Sequence, residues 1–343
     1  MEKGNLLSYS KIVLFGLFFY CKAPLKAQDT LTVNGLVDLY MGINIVNTEE
    51  SDLELYVSSN TLNQLDINFA AIEITKQYKK NTFLLSPAFG RYMNNNYKNE
   101  ILALRWIAQC YWQRNIGKHQ SFTLGIFSSP FTPENWKSTE QLFYSRALAP
   151  EYVPYYLSGL KWRIQCSPSL TFTPMMVNGW QHISDRIPQV AWSSLMEFKK
   201  RKFSINWTNF IGKEEGNDKQ SELRIFNDIN ATVSISRTWM FQSCAYLGHQ
   251  KSDIDWKTWW QFNTGMKVQL NENHSVGLRG EVFRDTKSVV LLNNNNGLVS
   301  AFTAYFDYKV SQHLWLRSEI KRLKIDNLEK SKWLAMLNLS LVF

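Results

Sequence analysis

The chain has 343 residues, 20% of them charged, with a formal net charge of +9 and a mean hydropathy of −0.28. These averages exclude a helical membrane protein, because no segment approaches the roughly 20 consecutive apolar residues that a spanning helix needs. They do not exclude a barrel, whose strands turn every second residue toward water, and the 14% of aromatic residues suits rings anchored at two membrane interfaces.

Residues 1–27 read as a cleaved secretory leader. Lys3 and Lys11 supply the positive start, Ile12 to Tyr20 (IVLFGLFFY) the apolar core, and Ala27 precedes a polar Gln28. Cys21 raises lipidation, but Phe18, Phe19 and Tyr20 stand where such a site wants small residues. Losing the leader removes four lysines and Glu2, a net +3, and leaves the mature chain at +6. Export and the lack of a clustered Lys/Arg tract argue against a nucleic-acid partner. The mature cysteines, Cys110, Cys166 and Cys244, are odd in number and without metal-like spacing. They read as isolated apolar side chains, with a disulfide between one pair left open.

From Thr32 onward the chain repeats a stretch of alternating polarity followed by a polar break. Strands are predicted over 32–45, 65–78, 82–93, 101–114, 120–128, 157–166, 169–179, 189–199, 202–212, 222–235, 238–248, 257–270, 274–284, 297–310, 313–323 and 332–343. That makes about sixteen, with fourteen or eighteen as alternatives, an even number as bacterial single-chain barrels have. The breaks alternate in length. Tight turns fall at residues 79–81, 117–118, 167–168, 200–201, 237, 271–273 and 311–312, and the breaks between them are longer and richer in charge, Asn, Gly or Pro. Short periplasmic turns and long outer loops give this contrast, which puts both chain ends in the periplasm. The expected fold is therefore all-β, a transmembrane antiparallel up-and-down barrel over residues 28–343.

Single strands carry the period of two. One parity of the twelfth reads Trp260, Phe262, Thr264, Met266, Val268 and Leu270, the other Gln261, Asn263, Gly265, Lys267 and Gln269, so one face meets lipid and the other water. In the second strand Ile67, Phe69 and Ala71 hold one parity while Ile72 and Ile74 take the other; a bulge would restore the phase. The last strand alternates Trp333, Ala335, Leu337, Leu339 and Leu341 and ends on Phe343. A terminal Phe after such a strand resembles the signal read by the outer-membrane insertion machinery.

NGLVDLYMG (34–42), TLGIFSSPFTPEN (123–135), FYSRALAPEYVPYYLSGLKW (143–162) and VNGW (177–180) resemble the OmpL-like β-barrel porin family of bacteria that include the Bacteroidetes. Tyr-Ser-Arg followed by Pro-Tyr-Tyr and Gly is the most specific part. The resemblance implies an outer-membrane location and the barrel fold; it names no solute and no strict catalytic motif, and later strands match only in pattern.

The long break after the fifth strand, residues 129–156, is the candidate constriction. It offers Glu134, Lys137, Glu140, Arg146 and Glu151, with Pro130, Pro133, Pro150 and Pro154 stiffening the backbone. An outer loop packed on the barrel rim is the alternative. Inward parity carries Arg105, Lys161, Arg163, Arg224, Lys267, Arg279, Lys309, Arg317 and Lys321 against Asp38, Asp228, Glu281, Asp307 and Glu319. Rings of charge bias ion passage, so this excess predicts mild anion preference. Against that, Arg279 with Glu281, or Arg317 with Glu319 and Lys321, can simply pair across strands and stiffen the wall.

Enzymatic function is not expected. His119, His274 and His313 lie near turns and His182 and His249 in loops, none beside a serine in a mid-strand arrangement. No two His or Cys share ligand spacing, so neither metal nor cofactor is expected, and the acidic loops read as solvated charge rather than a calcium site. The expected function is passive diffusion of small hydrophilic solutes or ions, with a non-conducting structural or adhesin barrel as the rival. Outer-membrane lipid is the expected environment, and monomer or homo-oligomer stays open.

Overall fold

The alternation becomes sixteen strands in a computed structural model that describes residues 29–343 except 185–188, 217–219, 252–254, 292–297 and 327–330. The expected leader at 1–27 lies outside the described residues. The strands are β1 (Asp29–Asn44), β2 (Leu65–Tyr78), β3 (Asn81–Phe89), β4 (Ile107–Ile116), β5 (Gln120–Ser128), β6 (Tyr156–Gln165), β7 (Leu170–Val177), β8 (Ala191–Lys200), β9 (Phe203–Glu215), β10 (Ser221–Ser234), β11 (Trp239–Lys251), β12 (Trp256–Gln269), β13 (His274–Asp285), β14 (Leu298–Lys309), β15 (Leu314–Ile325) and β16 (Lys332–Val342). Two short helices, α1 (Arg91–Asn96) and α2 (Leu148–Glu151), lie in loops. Each strand pairs with its chain neighbours, and β1 pairs antiparallel with β16, closing the barrel. Closure matters because an open edge in hydrocarbon leaves backbone N–H and C=O groups without partners.

Register carries the parity around the wall. Asn263, Glu281, Ala301 and Leu323 pair in one inward row of β12 to β15, and Phe262, Val282, Ser300 and Lys324 in the adjacent outward row. Outward Phe262, Phe302, Ile320 and Leu337 are exposed, which is the expected state of side chains facing lipid. The phase problem in β2 is resolved as the sequence required. The pairing with β1 slips between Asp38 and Leu39, so that Asn68 is the extra residue and both Ile67 and Ile72 face outward.

Two boundaries differ from expectation. The third strand, expected to run to residue 93, stops at Phe89, and the fourth, expected from 101, begins at Ile107. Between them α1 buries adjacent residues Tyr92 and Met93 together, and Arg91 pairs with Asp66 at 2.6 Å. An alternating strand cannot bury two neighbours on one side.

The interior is layered. In the half toward the long loops, the outer half on the expectation from the sequence, inward positions mix charged and large apolar residues, of which Phe210, Phe226, Trp259, Phe283, Leu323 and Leu334 join one buried cluster with Phe131 and Leu148 from the loop after β5. A second cluster gathers Phe69, Tyr92, Tyr97, Trp136 and Tyr156. Toward the short turns, inward positions become Thr, Ser, Asn, Gln and Lys.

Candidate functional site

The loop between β5 and β6 leaves and re-enters the wall at one point. Ser128 pairs with Tyr156, and the Ser129 N–H donates to the Tyr155 carbonyl at 3.1 Å. Just below, paired Gly125 and Gly159 take φ of 130° and 151°, a region favouring glycine, and a Cβ on either would sit 2.2 or 2.1 Å from a neighbouring carbonyl oxygen.

Four loop aromatics anchor the loop inside the barrel. Phe131 lies against Phe226 at 5.4 Å, Trp136 against Phe69 at 4.6 Å, Phe143 edge-on to Tyr305 at 4.8 Å and Tyr152 over Phe283 at 4.8 Å. Burying each such side chain contributes about 1.5–3 kcal/mol, so the loop is held as core rather than as a mobile flap.

Polar anchors then fix its course. Arg279 of β13 donates to Glu134 Oε1 at 3.0 Å, to the Ser145 carbonyl at 2.9 Å and to the Arg146 carbonyl at 3.1 Å. Glu281 accepts from the Leu148 N–H at 2.5 Å, and Glu319 of β15 accepts from the Tyr144 and Ser145 N–H groups at 2.6 and 3.0 Å. Arg317, paired with Asp307 at 2.9 Å, donates to the Ser138 and Leu142 carbonyls at 2.6 and 2.8 Å. Lys321 donates to the Arg146 carbonyl at 3.0 Å. On the other side the Thr132 N–H reaches Asp228 at 3.1 Å. The loop thus crosses the lumen from β5 and β6 to β10, β13 and β15.

An outer loop, 45–64, locks onto it. Glu151 accepts from the Val57 N–H at 2.6 Å, Arg146 donates to Ser58 Oγ at 2.7 Å, and the Arg146 guanidinium stacks 4.6 Å from both the Tyr92 and Tyr155 rings. Burial pushes the Glu134 and Glu151 carboxyls above the usual carboxylate range, against the pull of Arg279 and Arg146 respectively.

The residues singled out from sequence separate into three groups. Arg279, Glu281, Arg317, Glu319 and Lys321 are buried and bonded to the crossing loop, as are Glu134, Arg146 and Glu151 from the loop side. Lys137 pairs with Glu73 at 3.3 Å and Glu140 at 3.7 Å, nearer the end with the short turns, the periplasmic end on the expectation from the sequence. Arg224 is buried between Trp180 and Trp259 and bonded to Gln250 at 2.8 Å. Lys161, Arg163 and Lys267 face inward in the periplasmic half. Lys161 lies 4.4 Å over the Phe127 ring, and Arg163 donates to Thr171 Oγ1 at 3.3 Å. Arg105 is not on a strand: it follows a 3₁₀ turn over Leu102–Leu104, and its Nε donates to the Glu100 carbonyl at 2.8 Å. The expected strand start at 101 thus falls in a looped segment, and the inward parity assigned to Arg105 does not hold.

Sequence reading missed further inward charges: Lys199, Lys257 and Lys332 among cations, and Glu73, Glu197, Glu214, Glu222 and Asp285 among acids. The same parity rule, carried over all sixteen strands, finds them. They reduce the apparent cationic excess of the lumen to near balance. What differs is pairing. In the outer half the cations meet carboxylates: Lys257 with Glu222 at 3.4 Å, Lys332 with Glu50, and Arg279 with Glu134. In the periplasmic half Lys161, Arg163, Lys199, Lys267 and Lys309 have no salt-bridge partner within 4.0 Å among the described residues, and Glu197 is the one inward acid there without one.

Cys110, Cys166 and Cys244 are free thiols, with Cys244 buried 3.1 Å from Asp228. His182 lies 3.6 Å from Glu214, and among the described residues no group of three or more His, Cys, Asp or Glu is placed to hold a metal ion.

The family model described as beta-barrel porin-2, OmpL-like, matches residues 30–335. No curated protein matches by sequence. Among solved structures, the outer membrane channel DcaP of Acinetobacter baumannii superposes with a TM-score of 0.65 at 12% identity, covering 93% of this chain and 99% of that one. An anion-selective porin from Comamonas acidovorans gives 0.65 at 10% identity, covering 92% and 100%. OmpF of Salmonella typhi, in complex with daunomycin, gives 0.64 at 11% identity, covering 91% and 97%. At these identities the likeness is one of fold.

Proposed function

The chain belongs to the OmpL-like β-barrel porin-2 family, and from that premise we propose that it acts as an outer-membrane channel rather than an enzyme and passes small hydrophilic solutes or ions by passive diffusion, with mild anion preference, through a lumen narrowed by the loop at 129–156. The observation that carries the selectivity is the unpaired set Lys161, Arg163, Lys199, Lys267 and Lys309 facing water in the periplasmic half, opposed by Glu197 alone. Uncompensated charge lining a low-dielectric tube concentrates its counter-ion, whereas paired charge of the outer half does so weakly. Export in this reading removes residues 1–27, and the strand ending at Phe343 is the segment that engages the insertion machinery. Association into a homo-oligomer fits the same reading; the solved relatives include a trimer form of OmpT from Vibrio cholerae.

Planar-bilayer recording of refolded residues 28–343 in a salt gradient tests it. Discrete steps with a reversal potential on the chloride side support the proposal; steps with cation preference remove the selectivity. A second reading, a barrel that conducts little and acts as scaffold or adhesin, is favoured by the apolar cluster filling the outer half. Folded protein without steps moves the weight to it.

A further inference from the structure

Apart from its ends, the lipid-facing surface carries no charge among the described residues. At the outer-leaflet end its outward positions hold Lys213, Lys251, Arg284, Arg322 and Lys324, with Glu215 the one acid. Arg322 and Lys324 stand beside a groove of about 420 Å³ that opens to the outside of the wall. Phe262 and Phe302 form its sides, both about half exposed. Its floor is Gly280, where an added Cβ would meet nothing within 4 Å, with Ser300 and Val282 alongside. The Arg322 guanidinium is aimed by Ser331 Oγ, 3.2 Å from Nη2, and by the Trp333 ring at 5.9 Å, and neither Arg322 nor Lys324 has a carboxylate partner among the described residues.

Two unneutralised cations at the head of an apolar groove make a site with two chemical demands. The groove demands a hydrocarbon chain. The cations demand an anion at headgroup depth, and guanidinium matches phosphate oxygens two at a time. We propose that this face binds a phosphate-bearing anionic lipid of the outer leaflet, its acyl chain lying over Gly280 between Phe262 and Phe302 and its phosphate held by Arg322 and Lys324. The ligand is a membrane lipid rather than free phosphate, because the groove is built for the chain as well as for the charge.

Native mass spectrometry of the folded mature protein, released from detergent after incubation with phosphatidylglycerol or phosphatidylcholine, reads lipid retention directly. The wild-type protein is expected to keep phosphatidylglycerol in preference to phosphatidylcholine and in the presence of excess inorganic phosphate. Arg322→Gln with Lys324→Gln is expected to lower that retention roughly thirtyfold, the factor two membrane-surface cations supply. Gly280→Leu, which fills the floor without changing charge, is expected to lower it as well, and Lys213→Gln, on the far side of the belt, to leave it unchanged. Equal retention of the two lipids overturns the proposal, as does displacement by inorganic phosphate or insensitivity to Gly280→Leu. A loss in Lys213→Gln equal to that in the double variant would replace the site with diffuse attraction.

Discussion

The two halves of the lumen obey one alternation rule and use it differently. In the outer half, inward side chains are large aromatics and ion-paired charges that grip the crossing loop, as in a protein core. In the periplasmic half, the Arg317–Asp307 pair apart, they are mostly small polar residues and cations with no ion partner among the described residues. Equal inward charge therefore means different things at different heights: Arg279 is a structural cation bound to Glu134 and two carbonyls, whereas Lys267 has no such bond. A count of inward charges over the whole barrel hides this, and pairing reveals it.

Removing the gripped part tests the contrast most severely. Because Ser128 and Tyr156 are already paired, replacing residues 131–153 with a short Gly/Ser link leaves the β5–β6 hairpin intact. Single-channel conductance is expected to rise several-fold; an unchanged value would place the limiting barrier elsewhere. Next in size is Arg279→Leu, which strands Glu134 and Glu281 as buried carboxylates. Breaking such a pair costs about 3–5 kcal/mol, so the amides of Tyr144, Ser145 and Leu148 should lose hydrogen-exchange protection while strand amides keep theirs. The corresponding change below the loop, Lys161→Glu with Lys267→Glu, should move the reversal potential to the cation side and leave exchange at those loop amides unaltered. A shift of both observables together would mean that the two halves are not separable.

The smallest expected effect is on pH. Burial holds the Glu134 and Glu151 carboxyls above their values in an undocked loop, so the docked state binds protons more tightly. Their contribution to docking is fully present below the undocked carboxyl pKa and is lost as pH rises through the raised, docked value. Acidification from neutral pH should thus raise the protection factors of the Leu148 and Val57 amides, taken against the intrinsic exchange rate at each pH, and reduce conductance slightly. Lower protection factors in acid would show that the contacts to Arg279 and Arg146 outweigh burial.

Much of this architecture was legible. Alternation, turn lengths and the β2 phase slip placed all sixteen strands, and the length of the segment after β5 marked the loop. The role of Arg105 was not legible, because residues 101–106 are apolar apart from Arg105 and run directly into the alternating β4, and an apolar run does not reveal that its first residues form a 3₁₀ turn without a partner strand. Nor was the filling of the outer half. Phe226 and Phe283 occupy inward parity in plain view, but their partners, Phe131 and Tyr152, lie far off in sequence. Periodicity assigns a side chain to a face; it does not say whether that face meets water or another part of the chain.

The seam between β1 and β16 has a consequence for how the barrel is made. Fifteen of its sixteen pairings join consecutive strands and can zip as local hairpins, but the last must bring Leu36 to Val342. Loop-closure entropy falls on that one event. Until it happens, the nascent sheet presents two unpaired edges, each a template for the wrong partner. The slow step of assembly is expected to be the meeting of these two strands, and substitutions along Asp38, Asn338 and Ser340, whose side chains bond across the join, should delay closure more than equal changes in any hairpin.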